Sequence, residues 1–182
     1  MTALILLAVV AILVYWFISC QRSLVSLDEL CFNALSQIGV QQQSRWDALT
    51  ALAELTKSYS EYEYKALMEI IAQRRPINGN STAKEVNAQE NMLTEAMTRF
   101  MAVAEAYPDL KANDMYKQTM DSVNMYENNV RQSRMVYNDS VTKFNRYVRQ
   151  IPSNIVASLL HFSTRDYLEE DKAKSTVPSM KI

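Results

Sequence analysis

The sequence predicts an all-α protein: an N-terminal transmembrane helix followed by an elongated antiparallel up-and-down bundle of three long helices and a short fourth. One observation is the stretch from Leu4 to Cys20, which contains no charged residue, glycine or proline. Its length is close to the roughly 20 apolar residues that cross a bilayer core. The other is that the chain has only 2 glycines and 4 prolines in 182 residues, so turn signals are few and long helices are implied. We expect an anchor at residues 1–21, a bundle at 22–168 and a flexible tail at 169–182.

The first segment has the features of an uncleaved anchor rather than a signal peptide. Residues 1–3 carry no lysine or arginine, and residues 16–20 are too bulky for a small-residue cleavage site. Arg22 follows the anchor and no cation precedes it, so the positive-inside rule favours a single-pass protein of the cell membrane with a cytoplasmic bundle. Cys20 and Cys31 would lie about 16 Å apart on one helix, too far for a disulfide. They are therefore either two unpaired thiols or, in the sharper interpretation, Cys20 is acylated at the membrane surface.

An amphipathic first helix is predicted from residue 22 to residue 75. No proline interrupts residues 1–75, so the anchor can continue directly into this helix. Gly39 marks either a bend or a close backbone contact, and Arg74–Arg75 before Pro76 ends the helix. The apolar residues recur every three or four positions. They begin with a juxtamembrane stripe consisting of Leu24, Leu27, Cys31, Leu35 and Ile38.

Capping signals delimit the remaining helices. Thr82 and Glu85 form a capping-box pattern that opens the second helix, which Pro108 closes. Asn113 or Asp114 can cap the third helix, whose apolar positions alternate by four and three, as in a coiled coil. Pro152 ends that helix, and Ser153 can cap a short fourth helix from Asn154 to about His161.

Helix lengths suggest how these elements are arranged. The second helix is about half as long as the first and third, so tight connections would make the third overshoot the first. An extended run through residues 107–113 could span roughly 20 Å and correct the mismatch. We therefore expect the turns at 76–81 and 150–153 to lie at the far tip of the bundle.

Several motifs resemble those of the LemA family. Residues 106–113, Ala-Tyr-Pro-Asp-Leu-Lys-Ala-Asn, look like the hallmark of that family. The first-helix motif of the family is similar to Ser36–Gln37–Ile38, Val40–Gln41, Arg45 and Asp47. Its third-helix motif is similar to Glu127–Asn128, Arg134, Tyr137–Asn138 and Asn145. Pro152, Ser153 and Asn154, followed by Ile155–Val156–Ala157, resemble a further family run. The hallmark itself includes Tyr107, Pro108, Asp109, Leu110, Lys111, Ala112 and Asn113.

The resemblance implies a membrane-anchored antiparallel helical bundle of bacterial type and no settled biochemical activity. The chain departs from the family where Thr50 replaces a usual proline, where Gly39 replaces an acidic residue, and at residues 160–162. These departures concern local helix geometry.

The sequence contains no pattern that points to catalysis. Two glycines cannot build a phosphate loop, and the single histidine, His161, has no cysteine or acid cluster near it in sequence. We predict no enzyme activity, no cofactor and no metal site. A net charge of −1 gives no argument for nucleic acid, and we predict that none is bound.

Two sets of polar residues carry open alternatives. Six polar residues lie on the apolar stripes: Gln42, Arg45, Glu63, Glu90, Glu127 and Arg134. Either all six lie at stripe edges with their polar groups in water, or Arg45 and Arg134 form a buried network with Glu127 and Glu63 that fixes helix register. A basic run on the third helix, opposed only by Asp139, is either a solvated face or a docking surface for an acidic partner or lipid headgroups. Its candidate partner surface consists of Arg131, Lys143, Arg146 and Arg149.

These observations favour a non-catalytic scaffold that presents a helical bundle at a membrane. The juxtamembrane stripe precedes the second helix, so we expect it to be partly uncovered and to mediate homo-oligomerisation. The alternative is a sensory or adaptor module that binds a protein or lipid through its distal tip or its basic third helix.

Overall fold

The computed structural model describes residues 1–169, which form six α-helices and no strand. The predicted all-α class is thereby confirmed. The predicted tail falls almost entirely on residues 170–182, outside the described residues. The helices are α1 (Thr2–Thr56), α2 (Glu61–Ile71), α3 (Ala83–Ala106), α4 (Pro108–Ala112), α5 (Asp114–Arg149) and α6 (Ser153–Leu159).

Helix α1 runs without interruption from the apolar N-terminus into the bundle. Its first 18-residue apolar window is almost entirely exposed, and within residues 1–169 it is the one helix long and apolar enough to cross a membrane. The helix continues through Gly39, where an added Cβ would overlap the carbonyl oxygen of Ile77. Of the two alternatives for Gly39, the close backbone contact is therefore correct.

The prediction that the first helix continues to Arg75 is wrong. The helix ends at Thr56, and a turn leads to Ser60, whose hydroxyl accepts a hydrogen bond from the Glu63 N–H at 3.3 Å and caps α2. The hydroxyls of Thr56 and Ser58 donate to carbonyls three residues earlier. Such local bonds compete with helix continuation, so three hydroxyl side chains break the helix without proline or glycine.

This break reverses the predicted topology. Helix α1 runs away from the anchor, α2 returns, α3 runs outward again, and α5 returns along the whole soluble part of α1. The turn at 76–81 lies against α1, where Gly79 sits on the ring of Phe32. The distal tip is formed by residues 57–60 and 107–113, where the rings of Tyr59 and Tyr107 are 6.0 Å apart. The two turns expected at the far tip are therefore on the anchor side.

The connector is also helical where an extended run was expected. Pro108 begins α4, which suits a residue that lacks an N–H. Asn113 then caps α5 by accepting a hydrogen bond from the Met115 N–H at 2.8 Å. An extended connector is not needed to match the helix lengths. The 36 residues of α5 rise about 54 Å, which matches the length of α1 beyond its anchor. The predicted capping box of Thr82 and Glu85 is confirmed.

The core consists of two apolar clusters placed along the bundle. The distal cluster includes Trp46, Leu52, Phe100 and Tyr116 and joins α1 to the other helices at the tip. The proximal cluster joins α1, α5 and α6 near the anchor. Its buried members are Cys20, Leu24, Cys31, Ala34, Leu35, Ile38, Val86, Tyr137, Val141, Phe144, Val156, Ala157 and Leu168.

Candidate functional site

The anchor meets the bundle at the end of α5, with no linker between them. Trp16 and Phe17 are half-buried against the proximal cluster, and Cys20 is buried within it. The phenol of Tyr147 on α5 interacts with the side chains of Ser23 and Cys20. The anchor is therefore rigidly continuous with the bundle. The burial of Cys20 at 5% exposure also disfavours its acylation.

The side chains proposed for self-association are buried within a single chain. Leu24, Cys31, Leu35 and Ile38 are each 0% exposed, and Leu27 packs against the same cluster. The expectation of a partly uncovered stripe is wrong. Helix α5 returns to the anchor and covers the juxtamembrane stripe. This cover could not be foreseen while the third helix was expected to end at the far tip.

The basic run on α5 divides into two parts. Arg131 pairs with Glu127 at 3.6 Å, and Lys143 pairs with Asp139 at 2.7 Å, each one turn away on the same helix. Arg146 and Arg149 are exposed in the last turn and form no ion pair within residues 1–169. They line an open groove with Tyr167, at the end of α5 that adjoins the anchor. Of the four residues, these two carry the free positive charge.

The Pro152–Ser153–Asn154 run forms the turn from α5 into α6. Ser153 was expected to cap the short helix. Its hydroxyl instead donates to the carbonyl oxygens of Tyr147 at 2.6 Å and Gln150 at 2.9 Å, while Pro152 occupies the cap position. Asn154 Oδ1 is buried and has no hydrogen-bond partner in the described part of the chain. The motif folds the chain tightly onto the end of α5.

The hallmark segment lies at the opposite, distal end. Tyr107 packs against the distal cluster, Leu110 is completely buried, and Asn113 caps α5. Asp109, Lys111 and Ala112 are exposed. Every buried member of this segment thus has a packing or capping role.

A polar layer made of Gln42, Arg45 and Glu90 separates the two apolar clusters. Arg45 Nη1 lies 2.6 Å from Glu90 Oε1, and the Gln42 amide donates to Glu90 Oε2 at 3.0 Å. The Arg45 and Glu90 side chains are 6% and 16% exposed, so this ion pair is largely shielded from water. A buried network involving Arg45 was one of the predicted alternatives, but its partner is Glu90.

The other members of the predicted network have different partners. Glu63 pairs with Arg99 at 3.4 Å, and Glu127 pairs with Arg131. Arg134 donates to Asn87 Oδ1 and to the Glu169 carbonyl oxygen. The sequence reasoning missed Arg99 because the α2–α3 pairing depends on the unforeseen break at residue 57. It missed Asn87 because the contact between α3 and α5 follows from the same topology.

Residues 163–169, which we call the strap, return along α5 in extended form. Asn145 exchanges two hydrogen bonds with the Arg165 backbone, both 2.8 Å, and Asn138 exchanges two with the Leu168 backbone, at 3.0 and 2.9 Å. Seven residues of helix rise about 10.5 Å, close to the roughly 10 Å of three extended residues. This match lets two asparagines hold the strap in register, and Arg165 adds an ion pair to Asp28 at 2.8 Å.

Packing and helix capping explain the shifted pKa values of three side chains. Burial raises the pKa of the Cys31 thiol, which lies beneath the strap, and burial likewise raises the pKa of the Tyr137 phenol. Hydrogen bonds from the backbone and hydroxyl of Thr82 lower the pKa of Glu85. Among residues 1–169, no group of three or more His, Cys, Asp and Glu side chains is placed to hold a metal ion.

A family model described as the LemA family matches residues 34–182. Magnetosome proteins MamQ 2 and MamQ 1 of Paramagnetospirillum magneticum are each 32% identical to this chain over 81 residues. Magnetosome protein MamQ of Magnetospirillum gryphiswaldense is 30% identical over 81 residues. Each match covers 44% of this chain and 30% of the relative, so the chain aligns with less than a third of each relative's length. Neither the family description nor these names specify an enzyme.

Proposed function

Because this chain belongs to the LemA family and is membrane-associated, we propose that it is a non-catalytic structural protein that holds a rigid helical bundle at a membrane. In this proposal residues 4–20 cross the bilayer once. Arg22, Arg146 and Arg149 all lie at the anchor end, and the positive-inside rule then favours a cytoplasmic bundle.

The observation that carries this proposal is the continuity of α1 from the anchor to the distal tip. The helix has no break between Thr2 and Thr56 at which the bundle could bend relative to the anchor. The half-buried Trp16 and Phe17 and the buried Cys20 add side-chain contacts across the junction. The bundle therefore keeps a fixed position relative to its anchor, which suits a scaffold.

Self-association remains part of the proposal, but through a different face of the juxtamembrane helix. Ile18, Val25 and Phe32 are 44%, 36% and 40% exposed and recur every seven residues. This spacing is the repeat of a coiled-coil seam. We propose that neighbouring chains associate along this face of α1, next to the anchor that confines them to one plane.

Membrane extraction and light scattering of the full chain test both parts. We expect the protein to stay in the pellet after alkaline carbonate treatment and to elute from mild detergents as an oligomer. Val25→Asp should lower the oligomer mass, while Val40→Asp, the same change on an exposed position of α1, should not. A wild-type monomer in several mild detergents would contradict self-association, and release by carbonate would contradict the anchor.

The adaptor alternative has less support from the structure. Arg131 and Lys143 on α5 are neutralised by acidic residues one turn away, so a protein-facing basic surface is weak there. Pull-down from solubilised membranes distinguishes the alternatives. Recovery of the chain alone supports the scaffold, and stoichiometric recovery of one foreign protein supports the adaptor.

A further inference from the structure

Four apolar side chains are exposed around α6, at the end of the bundle that adjoins the anchor. We call Ile151, Ile155, Leu159 and Leu160 the apolar rim; they are 78%, 56%, 64% and 37% exposed. Val156 and Ala157 on the same short helix are buried in the proximal cluster. The helix therefore has two apolar sides, of which the fold covers one.

The antiparallel register of α5 on α1 shows which part of α1 lies beside the start of the apolar rim. Asn129 bonds to Gln41, Tyr137 neighbours Cys31, and Tyr147 interacts with Cys20 and Ser23. Each step along α5 thus corresponds to one step back along α1. Continuing this register places Ile151 level with the Trp16–Phe17 part of the anchor, which is where aromatic residues mark the boundary of a bilayer.

Charge at the same level also fits a lipid surface. Arg146 and Arg149 are exposed and form no ion pair within the described residues, and Arg22 is exposed directly after the anchor. The acidic residue of α1 closest to this level, Asp28, is engaged by Arg165. An apolar surface flanked by free arginines matches the boundary between acyl chains and anionic headgroups.

We propose that the apolar rim is a second membrane contact: it inserts into the surface of the bilayer that holds the anchor, while Arg146 and Arg149 bind anionic headgroups. The bundle is then attached at two points, which restrains its tilt relative to the bilayer. This inference rests on the proposed insertion of residues 4–20. It extends that proposal by assigning a lipid-binding role to the turn and helix at 151–160.

Depth-dependent fluorescence quenching of the full chain in vesicles tests the inference. Single cysteines at Ile155→Cys and Leu159→Cys, in a Cys20→Ala/Cys31→Ala background checked for helical content, would carry an environment-sensitive dye. The vesicles would contain phosphatidylcholine with or without phosphatidylglycerol, doped with lipids that carry a nitroxide near the headgroup or deep in the acyl chain. Met125→Cys, exposed in the distal half of α5, is the matched control, and Leu7→Cys reports the anchor.

We expect shallow quenching at residues 155 and 159, deep quenching at 7 and none at 125. The double variant Arg146→Gln/Arg149→Gln should lower the ratio of rim bound to the bilayer to rim free in water. In phosphatidylglycerol vesicles we expect a decrease of about fivefold per arginine, as for a basic residue at an anionic surface. Arg131→Gln should have no effect. Hydrogen exchange of the wild type provides a second measurement without substitutions, since amides at 153–160 should exchange more slowly in phosphatidylglycerol than in phosphatidylcholine vesicles.

Other outcomes would overturn the inference in distinguishable ways. Quenching at 7 but not at 155 or 159, with unchanged exchange at 153–160, would leave the anchor intact and refute the rim contact. Absence of quenching at 7 would refute the anchor and the rim together. Protection of 155 that depends on protein concentration, without quenching by lipid, would assign the rim to a second copy of this chain.

Discussion

At the scale of single residues, the capping of α3 shows how local chemistry defines an element. The Thr82 hydroxyl accepts a hydrogen bond from the Glu85 N–H at 3.2 Å, and the Glu85 carboxylate accepts one from the Thr82 N–H at 2.7 Å. Both bonds involve groups that a helix N-terminus leaves unsatisfied. The pair was recognisable in sequence because the geometry requires only that the two residues lie three positions apart.

Thr82→Ala should raise the pKa of Glu85 toward its ordinary value of 4.5 and lower the melting temperature by about 2–4 °C. A lowered folded-state pKa stabilises the protein above the unfolded-state pKa, and this contribution is lost as pH falls through the folded-state value. The melting difference between variant and wild type should therefore narrow at acidic pH. Carboxyl NMR titration and thermal melts in detergent measure both effects. Thr98→Ala, an exposed threonine on α3, is the control, and an equal shift there would contradict the capping argument.

At the scale of elements, the polar layer fixes how α3 lies against α1. Apolar contacts on either side of the layer are not directional, whereas Arg45 meets Glu90 in only one register. The layer is imperfectly satisfied, since Arg45 Nε and Gln42 Oε1 are buried and have no hydrogen-bond partner in the described residues. Buried ion pairs of this kind contribute little net stability but strongly penalise the loss of one partner.

Glu90→Leu should therefore destabilise the protein by about 3–5 kcal/mol, because Arg45 remains buried and unpaired. Arg45→Leu combined with Glu90→Leu should recover most of that loss. Denaturant unfolding followed by circular dichroism in detergent measures both. Asp139→Ala, which removes the partner of Lys143 from a pair more than half exposed, should cost less than about 1 kcal/mol. If the Arg45→Leu/Glu90→Leu variant were as unstable as Glu90→Leu alone, the unpaired charge of Arg45 would not be the cause of the destabilisation.

The strap is the element by which the chain closes over the proximal cluster. Asn138→Ala with Asn145→Ala should release it, because each asparagine makes both of its hydrogen bonds to strap backbone. Cys31 should then react faster with a thiol reagent, since burial no longer raises its pKa or blocks access. The rate is measured in a Cys20→Ala background, with Asn124→Ala, exposed on the same helix, as the control. An unchanged rate would mean that the strap does not protect Cys31.

At the scale of the whole molecule, sequence reasoning recovered the elements better than their arrangement. The continuous α1, the caps at Thr82 and Asn113 and the end of α5 depend on neighbouring residues and were predicted. The topology depended on one turn at residues 57–60, where serine and threonine hydroxyls end a helix that apolar periodicity would continue. Because that turn reverses the chain, its omission displaced every later turn and made the juxtamembrane stripe appear uncovered.

The candidate site, like the fold, was predictable only where it depends on neighbouring residues. The residues of the proximal cluster were recognised as apolar, but their burial requires α5, α6 and the strap to return to the anchor. Asn138 and Asn145 were noted only through the family resemblance, because a side chain that binds a distant backbone leaves no local pattern. The apolar rim went unnoticed because Ile155 and Leu159 belong to a segment that was predicted only as a short helix.

The return of the chain to its anchor has a consequence for biosynthesis. The distal cluster is complete once residue 123 has been made, but the proximal cluster needs Leu168. At about 5–20 residues per second, translation of the intervening segment takes roughly 2–9 seconds. During that interval Leu24, Cys31, Leu35 and Ile38 lack their cover, and in the proposed arrangement they lie beside the bilayer. The last part of the chain to be synthesised is thus the part that covers the beginning of the bundle. A nascent chain that stalls before α6 exposes these apolar side chains to neighbouring proteins.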